Sequence, residues 1–214
     1  MANVSNANGS FYISKSAWEG MRPLFTEYIR QYNTPCYGVY LWDVFDGEEE
    51  VTIEFAANGR WSLASTMEDP YAIFGAYDNP LGKEIIEYIK TLGTEGLRYE
   101  YADEDTGMEF LYRATGYSYV NESGDLIFLD TLVDEYVFTA KNRYELGLIS
   151  EYYESENDIV SEIEKTIGQS LSKEQLEFVR KEISGRKGFA DYEVENLALD
   201  CQEFGKKKTV AYNM

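Results

Sequence analysis

Carboxylates are the only side chains numerous enough in this chain to suggest chemistry, and they fall into two tight groups. Asp43, Asp46, Glu48, Glu49, Glu50 and Glu54 crowd one stretch, and Glu100, Asp103, Glu104, Asp105 and Glu109 crowd another. Carboxylates can ligate a hard cation, exchange protons as acid and base, or present negative charge to a cationic surface. The calcium reading fails on spacing. Asp103-x-Asp105-x-Gly107 opens like a twelve-residue calcium loop, but Gly107 is fifth where the sixth is required, and Ala114 stands where the bidentate Glu belongs. An acidic hairpin turn is expected there instead. Acid–base work needs two carboxylates facing across a cleft, and sequence cannot place such a pair among 39 acids. No other catalytic part accompanies them. With no His in the chain, the commonest general base, the Ser-His and Cys-His pairs and most zinc sites are gone. The glycines make neither a dinucleotide fingerprint nor a Walker loop. The expectation is a non-enzyme with no metal and no cofactor.

The third use of carboxylates fits the totals. Asp and Glu number 39 against 19 Lys and Arg, a formal net charge of −20. Such a charge repels nucleic-acid and membrane phosphates and steers the molecule toward basic surfaces. Direct nucleic-acid or membrane binding is therefore not expected, and a basic protein is the expected partner. Lys206 to Lys208 is too short a run to change this and reads as a solvated tail. Tyrosine, with 19 copies, suits half-exposed and interfacial positions because its ring buries while its hydroxyl stays wet. Tyr99, beside the second acidic group, joins the candidate contact set. Cys36 and Cys201 lie far apart and suit a reducing cytosol, with a long-range disulfide as the alternative. Met1 to Ser10 lacks the cationic start and apolar stretch of a secretory signal, and no apolar run reaches membrane-spanning length, so a cytoplasmic location is expected.

The elements that would position these groups read as α+β. Residues 1–10 are expected to be loose, with a short strand over Phe11 to Ile13. A capping box at Ser16 and Glu19 starts a helix whose apolar stripe runs Trp18, Met21, Phe25, Tyr28, Ile29 and Tyr32, with a bend at Pro23. A three-stranded antiparallel meander should follow from Gly38 to Leu63, turning at Asp46-Gly47 and at Asn58-Gly59. Asn79-Pro80 then starts a second helix, and strands alternate through Leu97 to Tyr101, Met108 to Tyr112 and Leu126 to Leu129. From about residue 141 the periodicity is helical. Its expected stripes are Tyr144 to Tyr152, Ile159 to Ile167, Leu176 to Ile183 and Val194 to Cys201, the last ended by Gly205. The division expected is a helix-plus-meander unit over 1–65, a second over 66–138, and a helical C-terminal region over 139–214.

Sliding the chain on itself by 57 residues matches eight of 38 positions between Pro23–Arg60 and Pro80–Tyr117, among them Pro23/Pro80, Asp46/Asp103 and Gly59/Gly116. Tandem duplication and convergence of two similar units both account for this. Duplication would set the two acidic groups on similarly spaced edges, where rows of carboxylates imitate the charge spacing of a nucleic-acid backbone. In composition the chain is similar to acidic DNA mimics. The functional expectation is a non-enzymatic inhibitor that blocks the basic surface of a nucleic-acid-binding enzyme, as an anti-CRISPR or anti-restriction protein would. A toxin-immunity or adaptor protein is the alternative, and a carboxylate-based hydrolase the third.

Overall fold

Small residues alternating with polar ones make the first strand. The structure, a computed structural model, describes residues 4–31, 37–94 and 96–211, with side chains described as far as Glu203. In β1 (Val4–Ser14), Ser5, Ala7, Phe11 and Ile13 are buried while Asn6, Asn8 and Ser14 are exposed. The period of two is intact, but over residues 4–10 it is written in Ser, Ala and Gly, so hydrophobicity reveals only the expected stretch from Phe11 to Ile13. A strand therefore replaces the loose terminus expected over 1–10. Its hydrogen bonds run to a partner on each side, and at Gly9 a side chain would stand 2.3 Å from the Glu100 carbonyl and 2.6 Å from the Phe55 ring. Only glycine fits there.

The chain continues through α1 (Lys15–Gln31), β2 (Gly38–Asp46), β3 (Glu50–Arg60), α2 (Leu63–Met67), α3 (Pro70–Ile73), α4 (Pro80–Lys90), β4 (Arg98–Asp105), β5 (Phe110–Val120) and β6 (Leu126–Glu135). The strands form one six-stranded antiparallel sheet in the order β2-β3-β1-β4-β5-β6. β1 thus joins the two hairpin regions in one sheet. Helix α1 starts two residues earlier than expected: the Ser14 hydroxyl accepts the Ala17 N–H at 3.3 Å, in place of a box at Ser16. Pro23 lies on the exposed side of α1, which runs through it to Gln31. The Asn79 cap and Pro80 at the first helical position of α4 stand as expected, with the Leu81 N–H 3.0 Å from the Asn79 side chain.

The expected third strand of the first meander is absent among the described residues. Asn58 and Gly59 stay in β3 because β1 and β2 pair with it on both sides. The chain turns at Trp61 instead, which adopts a left-handed φ of 72°, and enters α2 capped by Ser62. Gly59 serves that return, since a side chain there would lie 2.2 Å from the Ser62 backbone.

Opposite handedness rules out the 57-residue match as a superposable repeat. β1 is antiparallel to β3 and to β4, so β2 and β4 run in opposite directions. Yet the next strand lies on the same side of each along the sheet, and α1 and α4 pack on one face, with the Tyr88 hydroxyl donating to the Ala17 carbonyl at 2.8 Å. No rotation carries one helix-plus-hairpin onto the other. The same geometry places the β2–β3 and β4–β5 turns at opposite ends of the sheet.

The chain divides into two compact units, one through Val137 and one from Phe138, so the expected boundary at 65/66 falls inside the first. The first unit carries 24 acidic against 8 basic residues and the second 15 against 11, giving net charges of −16 and −4. In the first, Phe11, Phe25, Ile53, Phe55, Phe74 and Ile85 pack between the helices and one face of the sheet. The second holds α5 (Ala140–Glu145), β7 (Tyr152–Tyr153), α6 (Glu156–Ile167), α7 (Lys173–Ile183), β8 (Phe189–Ala190) and α8 (Asp191–Ala211) around Ile159, Ile163, Val179, Val194 and Cys201. The helix expected over Tyr144 to Tyr152 stops early, and Gly147 reverses the chain at φ 72° into β7. Ser155 and the Ser172–Gln175 box cap α6 and α7 as expected. Gly205 does not end α8, whose backbone stays helical through the three lysines to Ala211. Cys201 is buried and free, whereas Tyr32 to Cys36 lie outside the described residues.

Candidate functional site

The β2–β3 hairpin is where the first acidic group becomes a surface. β2 is an edge strand, and a bulge between Leu41 and Asp43 throws the Trp42 ring outward, leaving it 64% exposed. Phe45, three residues on and opposite Thr52, is 52% exposed. Asp43 lies opposite Glu54, and Glu48 and Glu49 occupy the exposed turn. Lys15 engages Asp46, with Arg22 at 3.7 Å from the same carboxylate, and Arg98 engages Glu50. No ion pair reaches Asp43, Glu48, Glu49 or Glu54 among the described residues. Four uncompensated carboxylates and two bare aromatic rings therefore share one hairpin.

The second acidic group is mostly structural, which corrects its assignment as a contact surface. Asp103, at 0% exposure, accepts the Leu63 N–H at 2.6 Å and the Tyr112 hydroxyl at 2.8 Å. Burial pushes its carboxyl up to about 6, against the pull of those hydrogen bonds. Its other oxygen is buried without a hydrogen bond, with the Ser5 hydroxyl alongside but outside bonding geometry. Asp105 is buried and folds its own turn, accepting the Gly107 N–H at 2.7 Å and the Met108 N–H at 3.0 Å. Glu104 is buried as well. Burial alone would raise the Glu100 carboxyl, but the Tyr12 hydroxyl and Arg113, each 2.5 Å away, hold it below the usual range. Only Glu109 of this group stands exposed, at a turn position with φ 54°. Tyr99 is likewise buried, and its hydroxyl donates to Asp130 at 2.9 Å. Strand parity carries the signal for this outcome: Asp103 and Asp105 share the face of Tyr99 and Tyr101, which points to the core. The two acidic turns thus lie at opposite ends of one sheet, one presented and one largely enclosed, while Glu54 and Glu100 stand level on either side of Ser10.

Sequence reasoning passed over Asp130. Each of its oxygens accepts a tyrosine hydroxyl at 2.9 Å, one from Tyr99 and one from Tyr101, and those burial-raised phenols stay protonated. Asp103 has the raised carboxyl that acid–base chemistry asks for, but no access to solvent. No group of three His, Cys, Asp or Glu among the described residues could hold a metal ion, and no described helix is long and apolar enough to cross a membrane. One hollow of about 490 Å³ lies over Tyr12, Arg98, Glu100 and Tyr117, and another of about 500 Å³ lies beside α2. No family model, curated protein or solved structure matches this chain.

Proposed function

We propose that this is a non-enzymatic binding protein whose β2–β3 hairpin engages the basic surface of another protein, of the kind a nucleic-acid-binding enzyme uses for its substrate. The observation that carries this reading is the meeting of Asp43, Glu48, Glu49 and Glu54, free of ion pairs among the described residues, with exposed Trp42 and Phe45 on an edge strand. Carboxylates at the rim attract a cationic partner from a distance and set the association rate. Aromatic rings that desolvate on contact hold the complex, since Trp is prominent among interface residues that dominate binding. The net charge of −16 on the sheet unit strengthens the steering and disfavours association of two copies. Blocking is steric, as the acidic hairpin occupies the path a phosphate backbone would take. An inhibitor of restriction or CRISPR enzymes acts in this manner.

Affinity capture with the full chain and with a Trp42→Ala/Phe45→Ala variant tests the reading. The expected result is a nucleic-acid-binding enzyme recovered by the native chain, displaced by duplex DNA, and lost with the variant. Recovery of the same protein by the variant, undiminished by DNA or by 0.5 M salt (roughly a 4 Å screening length), would overturn it.

A further inference from the structure

The hollow beside α2 lies at the end of the sheet remote from the β2–β3 hairpin and has a composition of its own. It measures about 500 Å³ and is bounded by α2, the start of β5 and the end of β6. Glu109, Asp130 and Glu135 supply carboxylates, and Phe110, Tyr112 and Tyr136 supply rings. No Lys or Arg lines it among the described residues. The walls are fixed in place. Tyr112 is held through its hydroxyl by Asp103 at 2.8 Å and packs on Phe110 with ring centroids 5.7 Å apart. Glu135 stands opposite Tyr112 in the β5–β6 ladder, and the Tyr136 N–H donates to the Leu111 carbonyl at 2.8 Å, extending that pairing past the end of β6.

We propose that this hollow binds an organic cation, an alkylammonium or guanidinium group, presented either by a free amine or by a Lys or Arg side chain of another protein. Its size falls in the range of small-molecule sites and far exceeds what a bare metal ion fills. Ring faces carry negative potential and attract a cation that has shed part of its water. Carboxylates around the rings neutralise the incoming charge and orient its N–H donors. An anion meets repulsion from all three carboxylates. A neutral apolar ligand would desolvate Glu109 and Glu135 without giving either a partner. This site does not depend on the hairpin proposed above as the docking surface, and either can fail alone.

Titration of the full chain with agmatine, butylamine, butyrate and a capped lysine pentapeptide, followed by calorimetry, decides the matter. Glu135→Gln and Tyr136→Ala alter exposed residues that sit at the rim, so the fold survives both. Glu122→Gln, in the β5–β6 turn at the other end, serves as control. Saturable agmatine binding with a Kd near or below about 1 mM is expected, weakened about tenfold by each rim variant, unchanged by Glu122→Gln and absent for butyrate. Tighter binding of the pentapeptide than of the free amines assigns the site to a protein side chain, and the reverse order assigns it to a free amine. Agmatine binding that is non-saturable, or equal in the native chain and both rim variants, overturns the proposal.

Discussion

Asp103 shows how one buried carboxyl sets a pH dependence for the whole sheet unit. Its folded value of about 6 lies above the ordinary 3.8 of an unfolded chain, so the native state holds the proton more tightly. The stabilisation this provides is fully present below the unfolded value and is lost as pH rises through 6. Asp103→Asn keeps an acceptor for the Leu63 N–H and removes the buried charge. It is expected to stabilise the protein by about 2 kcal/mol at pH 7.5, a gain that shrinks toward zero as pH falls through 6 toward 4. Urea unfolding of both proteins across that range checks this, and a gain independent of pH would count against it. Trp42 makes the opposite case at the same scale. Because its ring is 64% exposed, Trp42→Ala should change stability by less than about 0.5 kcal/mol while weakening partner binding tenfold or more. Parallel thermal unfolding and binding assays separate the two effects.

Among the elements, β1 decides the architecture, and its first half was the least legible. Other elements announced themselves through Val51, Ile53 and Phe55 or through caps at Asn79, Ser155 and Ser172, where large side chains or turn chemistry mark the pattern. β1 alternates Ser, Ala and Gly with Asn, and a central strand can be built from small residues because neighbours on both sides supply the hydrogen bonds. The same cause misled the reading of Asn58-Gly59, a pair typical of hairpin turns that here is needed for close packing inside a strand. Gly9→Ala is accordingly expected to cost about 3 kcal/mol, since its methyl group would meet the Glu100 carbonyl of the neighbouring strand and the packed Phe55 ring, neither of which can swing away. A melting temperature unchanged by this substitution would contradict the tight register of β1 between β3 and β4. Within the acidic groups, parity along β4 was enough to send Asp103 and Asp105 inward, whereas the burial of Glu104 had no such local sign.

For the whole molecule, the sign and excess of charge were readable and their arrangement was not. Composition supplies −20, but only the sheet order shows that the two hairpin turns face opposite ways and that one acidic group is enclosed. Concentration of the charge in the sheet unit, with the second unit near balance, predicts an association rate that falls steeply between 50 and 500 mM salt, as the screening length contracts from roughly 14 Å to 4 Å. The dissociation rate, set by desolvated rings, should change far less. Hydrogen exchange on the complex with the captured partner tests the central claim most directly. Protection concentrated in residues 40–54, with β4–β5 turn residues 106–109 and the unit from Phe138 exchanging as in the free protein, is the predicted result. Protection confined to the second unit, with the β2–β3 hairpin unchanged, would contradict the account.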